Sequence, residues 1–205
     1  FLHQGVPDAH CQTALQLAGY EFRHDHLATV DQTVVAHDFY LAVNKAEPSL
    51  IRTEADELTY SMHIMVRYEI EKRLMDGSLS TKDLPNEWNR LYKEYLGIDV
   101  PCDSMGCLQD SHWSGGALGY FPSYSLGSAY GAQFLHKMKQ DIDIDKLVSE
   151  NRIDEVTAWL TEKIHKYGML LTPAQLIENA CGEEFNADYY IEYLTEKYKK
   201  IYDLK

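Results

Sequence analysis

An all-α, multi-helix fold is predicted for this 205-residue chain on three observations. From about residue 38 onward, apolar residues recur in steps of three and four, the spacing of one face of a helix. Capping residues and glycine stops punctuate that pattern. Strand alternation is absent except for a possible short stretch near Leu118–Phe121. The length suits one domain with a real core, or two small ones.

Taken in order, Ile51, Ala55, Leu58, Met62, Met65, Val66, Ile70 and Leu74 form one apolar stripe. It predicts the longest helix over about 49–75, with Pro48 in its first turn and Gly77 ending it. Asp83-Leu84-Pro85 reads as a helix start leading into Trp88, Leu91, Tyr92 and Tyr95, closed by Gly97. From Gly97 to about Ser125 the glycines and prolines (Pro101, Gly106, Gly115, Gly116, Gly119, Pro122) leave no period. A long ordered loop inside a helical domain is usually functional. Helical spacing resumes at Leu126, Tyr130, Phe134 and Met138. Three more helices are expected at about 151–166, from Thr172-Pro173-Ala174-Gln175 to Gly182, and at about 187–202.

Residues 1–36 form a separate segment of weak periodicity, expected to pack poorly against the helical residues 37–205. The chain opens on Phe1 and not Met, which suggests a fragment. A divergent segment and an out-of-frame upstream segment would both explain residues 1–36.

A net charge of -13 argues against nucleic acid as a partner, because phosphate binding needs clustered Lys and Arg. No apolar run approaches the ~18 residues of a membrane span, and no secretory leader is visible. Cys11, Cys102, Cys107 and Cys181 are scattered apart from the CxxxxC pair at 102 and 107, which reads as loop thiols before a metal or redox pair, so free thiols in a reducing cytoplasm are expected.

Arg52 lies next to the apolar stripe, where a lone charge is costly. It is either paired with Glu54, Asp56 or another carboxylate, or it is a clamp for a substrate carboxylate, whose two oxygens match the guanidinium fork. Gln109, Asp110, His112 and Trp113 sit in the glycine-interrupted loop. They read as a hydrogen-bond cluster or as the wall of a site in which the carboxylate orients the histidine. Among fifteen tyrosines packing is the default for any single one, Tyr124 after Tyr120-Phe121-Pro122 included. His24, Asp25, His26, His37 and Asp38 form a His/Asp cluster, but no third ligand follows at a recognised spacing and solvated loop histidines are expected. No metal ligand is assigned.

Ile51-Arg52-Thr53-Glu54-Ala55-Asp56 reads IRxxAD, and Gly106 to Trp113 reads GxxQDxHW. With Phe39–Tyr60, Leu84–Trp88, Glu94–Gly97 and Gly119–Gly127, these resemble the carboxypeptidase Taq family of helical metallocarboxypeptidases over roughly Asp38 to Lys205. The resemblance implies release of single residues from peptide C-termini, a deep cleft, a homodimer when full length, and catalytic zinc or another divalent ion. It also implies roles. Arg52 is expected to bind the substrate carboxylate, His112 to meet the substrate or transition state, and Asp110 to support it. Tyr124 is expected to stabilise the tetrahedral intermediate, and Gln109 to line the substrate site. The family's HExxH metal helix occurs nowhere in these residues. The chain therefore reads as the substrate-binding C-terminal part of such an enzyme, inactive by itself. The alternative is a non-catalytic helical interaction module on the same scaffold. Its mark would be decay of Arg52, Asp110, His112 and Tyr124, all of which are intact.

Overall fold

The computed structural model describes residues 36–205. Expectations for the segment before them, including its packing and the pair His24 and His26, lie outside the described residues. Eight α-helices and no strand occur among the described residues: α1 (Ala36–Val43), α2 (Glu57–Met75), α3 (Leu84–Leu96), α4 (Pro122–Asp141), α5 (Ile144–Ser149), α6 (Ile153–Lys163), α7 (Pro173–Cys181) and α8 (Asp188–Ile201). The fold is all-α, as the periodicity predicts, and the stretch near Leu118–Phe121 is not a strand. None of these helices is long and apolar enough to cross a membrane. The chain forms two compact units, one of residues 38–126 and one holding residues 127–205.

In the first unit, α2 starts later than the apolar stripe predicts. Ala55 and Asp56 are extended, and the Asp56 side chain accepts the amide of Thr59 at 3.0 Å. That is an N-cap, and it forces the helix to begin at Glu57. Arg52 falls into a single 3-10 turn, Arg52–Glu54, that follows extended Ile51 and precedes the helix. With 19 residues α2 is also one shorter than α4, which has 20 and begins at Pro122, inside the expected loop. Proline is well placed there, since the first turn of a helix needs no donor from it.

α3 follows its signals closely. Pro85 lies in its first turn and Gly97 closes it at φ 74, a left-handed conformation that glycine adopts without steric cost. Its buried face (Trp88, Leu91, Tyr92, Leu96) packs on Val66 and Ile70 of α2. Leu79 and Cys107 complete that core, so the loop after α3 is anchored by the same cluster that joins the two helices.

In the second unit, Met138 of α4, Ile144 of α5 and Trp159 of α6 form one core cluster, and Ala129, Ala132 and Tyr190 form another. α5 has six residues, too few for a clear period, and the sequence reading passes over it. Thr172 and Gln175 make the expected capping box at α7, closed by Gly182. Buried Gln133 pins the following loop, donating to the Glu184 carbonyl and accepting from the Asn186 amide.

Candidate functional site

The site lies wholly within residues 38–126. Its base is the inner face of α2, where His63, Arg67 and Glu71 repeat every fourth residue and are buried. Facing them is the loop after α3, held in two places. Trp113 donates its indole N–H to Glu71 Oε1 at 2.8 Å, and Gln109 fills the space between α2 and the 3-10 turn. The turn into that loop demands a glycine. A Cβ on Gly106 would lie 2.8 Å from Val100 Cγ1 and 3.3 Å from the Cys102 carbonyl.

Gln109 is a structural hub. Its Oε1 accepts from the Arg52 backbone N–H at 2.9 Å and from Arg67 Nη2 at 2.9 Å. Its Nε2 donates to the Leu50 carbonyl at 2.9 Å and the Met105 carbonyl at 3.3 Å.

Asp110 receives two arginines. Arg52 Nη2 donates to Oδ1 at 2.8 Å and Arg67 Nε to Oδ2 at 2.8 Å. Burial pushes the Asp110 carboxyl up, but the Arg52 hydrogen bond and the charges of Arg67 and Arg52 outweigh it and hold it below its ordinary value. Arg52 is thus paired, through a carboxylate neither near in sequence nor on its own turn. Its Nη1 also donates to the Tyr60 hydroxyl at 3.2 Å. A guanidinium carries five N–H groups. Three of Arg52's are engaged, which leaves two for a ligand.

His112 Nε2 lies 3.0 Å from the Tyr124 hydroxyl, and the ring packs on Phe121 with centroids 4.4 Å apart. Its Nδ1 is 3.9 Å from Asp110 Oδ1, too long for a hydrogen bond. Asp110 is therefore occupied by arginines and does not hold the His112 tautomer as a DxH pattern suggests. Burial, with the charges of Arg52 and Arg67, pulls the His112 pKa below its ordinary value, so the ring is neutral near pH 7. Burial also raises Tyr124, which keeps its phenol protonated. The Arg52 guanidinium sits 5.0 Å from the Tyr124 ring centroid and 5.7 Å from that of Phe121. Arg52, His112 and Tyr124, up to 72 positions apart in sequence, are thus assembled in one cluster. Chemically it offers a cationic fork beside a neutral His–Tyr pair able to donate to a second oxygen.

The sequence reading missed Arg67, His63, Glu71 and Tyr92. Their available signal was the four-residue spacing His63-Arg67-Glu71 running alongside the apolar stripe. A polar line beside apolar positions on one helix is easily taken for its solvated face. His63 Nδ1 is 3.0 Å from the Tyr92 hydroxyl, which itself donates to the Leu50 carbonyl at 3.2 Å. The His63 Nε2 has no partner among the described residues.

No group of three His, Cys, Asp or Glu placed to hold a metal ion occurs among the described residues, and His37 is exposed. The described residues by themselves do not fit a divalent ion. Cys102 is exposed and Cys107 buried. A cavity of about 470 Å³ is lined by Thr81, Pro85, Cys107, Asp110 and Trp113, while Arg52, His112 and Tyr124 do not line it.

The model of the carboxypeptidase Taq (M32) metallopeptidase family matches residues 15–198. Carboxypeptidase 1 of Bacillus subtilis is 48% identical over 166 residues, which cover 80% of this chain and 33% of that protein. Thermostable carboxypeptidase 1 of Pyrococcus furiosus is 41% identical over 162 residues, 78% of this chain and 32% of its own length. The crystal structure of the M32 carboxypeptidase from Deinococcus radiodurans R1 superposes with a TM-score of 0.84 at 34% identity, covering 93% of this chain and 39% of that one. The chain spans about a third of the length of the curated relatives it matches.

Proposed function

The chain belongs to the carboxypeptidase Taq (M32) metallopeptidase family, and from that premise we propose that its Arg52 cluster is the carboxylate-recognising part of a peptidase that releases single C-terminal residues. The carrying observation is Arg52, buried at 7% exposure, fixed by Asp110 and Tyr60, with two N–H groups unspent beside Tyr124 and His112. An exopeptidase must tell a free terminal carboxylate from an internal peptide, and a rigid guanidinium does this at low ordering cost.

In this reading Tyr124 and neutral His112 act on the scissile carbonyl, one hydroxyl donating toward the oxygen that gains charge. Asp110 and Gln109 hold Arg52. The metal (zinc or another divalent ion), the peptide substrate and a homodimer carry over from the family as parts of the proposal, and a cytoplasmic location from the scattered cysteines. Positioning lowers only part of the barrier, so the 205-residue chain should bind C-termini without cleaving them.

The test is hydrolysis of a blocked dipeptide acid by the chain with added zinc or cobalt, beside the same chain joined to the metal-bearing part of a full-length relative. Activity in the joined protein alone supports the reading. Metal-dependent release by the 205-residue chain would contradict it and return attention to His24, His26 and His37.

A further inference from the structure

Arg67 is fully buried, at 0% exposure. Its contacts account for its whole guanidinium. Nε donates to Asp110 Oδ2 at 2.8 Å, Nη2 donates to Gln109 Oε1 at 2.9 Å and lies 2.6 Å from Asp110 Oδ2, and Nη1 donates to the His63 carbonyl at 2.7 Å and the Tyr92 hydroxyl at 3.4 Å. The plane lies 4.6 Å from the Trp88 ring centroid and 5.2 Å from that of Phe121. It touches two of the three side chains that fix Arg52, Asp110 and Gln109, the third being Tyr60.

The charge count within this group is uneven. Asp110 brings one negative charge to two guanidinium groups, so the trio carries one surplus positive charge. Among the described residues no other carboxylate forms an ion pair with either guanidinium. Glu71 accepts the Trp113 indole and Asp56 caps α2, so their charges act on the two arginines only from outside contact distance. A surplus charge in a site shielded from water acts at greater strength than one on the surface. Arg52 is the member with unspent donors, so it is where an anion meets that charge.

We propose that Arg67 is a positioning residue for C-terminal recognition: by sharing Asp110 with Arg52 it prevents that carboxylate from neutralising the clamp, and it delivers the site's surplus positive charge to Arg52. A one-to-one Arg52–Asp110 pair would be neutral and a poor anion receptor. Two arginines on one carboxylate keep Arg52 rigid and cationic together. The proposal rests on Arg52 binding a carboxylate.

The test compares affinities of a blocked dipeptide acid and its C-terminal amide by calorimetry, for the wild-type chain and for Arg52→Ala, Arg67→Gln and Arg67→Lys. Thermal unfolding confirms that each variant folds. Arg67→Gln should lower the acid-to-amide affinity ratio on the order of tenfold while amide affinity stays. Arg67→Lys keeps the charge but loses much of the hydrogen bonding, and should hold the ratio within about threefold. A merely structural Arg67 would weaken both ligands together in both variants. An unchanged ratio in Arg67→Gln, or a collapsed ratio in Arg67→Lys, overturns the inference, and the lysine variant decides alone if the glutamine variant does not fold. If Arg52→Ala also leaves the ratio intact, the carboxylate reading itself has failed.

Discussion

Gln109 Oε1 accepts the backbone N–H of Arg52 at 2.9 Å and so joins two segments 57 positions apart. The IRxxAD turn is held against the GxxQDxHW loop by a side chain that the sequence offers only as a weak candidate for substrate contact. Gln109→Leu should strand the Arg52 amide and one Arg67 Nη2 N–H in a part-buried site. The expected loss is roughly 2–4 kcal/mol of stability, read as a lower denaturant midpoint. A substitution that leaves the midpoint unchanged would show the hub to be dispensable.

Gly106→Ala should destabilise the chain by about 1–3 kcal/mol, since its new methyl meets Val100 Cγ1 at 2.8 Å. Shortening Val100 to Ala in the same chain should recover part of the loss. The Cys102 carbonyl, being backbone, cannot move aside as easily. Thermal melts of the single and double variants check this.

Acid should weaken the fold through His63. Burial pulls its pKa down to about 4, with the Arg67 charge adding to the effect. The folded value lies below the unfolded one near 6.5, so the folded state binds fewer protons. Stability is full above about pH 6.5 and is lost as pH falls toward 4, on the order of 3 kcal/mol in total. His63→Leu should flatten that part of the stability curve, whereas an unchanged acid slope would clear His63 of the role.

Tyr124→Phe removes the hydroxyl that meets His112 Nε2. In the metal-competent joined protein, turnover should fall on the order of 100-fold with little change in binding of the acid ligand. Equal losses in binding and turnover would assign Tyr124 to ground-state contact instead.

The sequence carries the helices well wherever local chemistry decides them. The capping box at Thr172 and the stops at Gly97 and Gly182 all fall where their residues predict. It misplaces the start of α2, because Ile51 and Ala55 continue the apolar period while Asp56 caps the chain behind them. Period and cap conflict there, and the cap wins. The motif residues Arg52, Asp110, His112 and Tyr124 are legible as a set only through family resemblance. Arg67 and His63 were hidden because their partners lie across the loop, so nothing in the linear spacing distinguishes them from a solvated helix face.

The central claim is that Arg52 receives a free C-terminal carboxylate. Calorimetric titration of the wild-type chain and Arg52→Ala with a blocked dipeptide acid and its C-terminal amide tests it most directly. The acid should bind the wild-type chain at least about tenfold more tightly than the amide, as expected for a charged bidentate contact, and the two affinities should converge in Arg52→Ala. Equal affinities in the wild-type chain, or a preference for the acid that survives in Arg52→Ala, would contradict it.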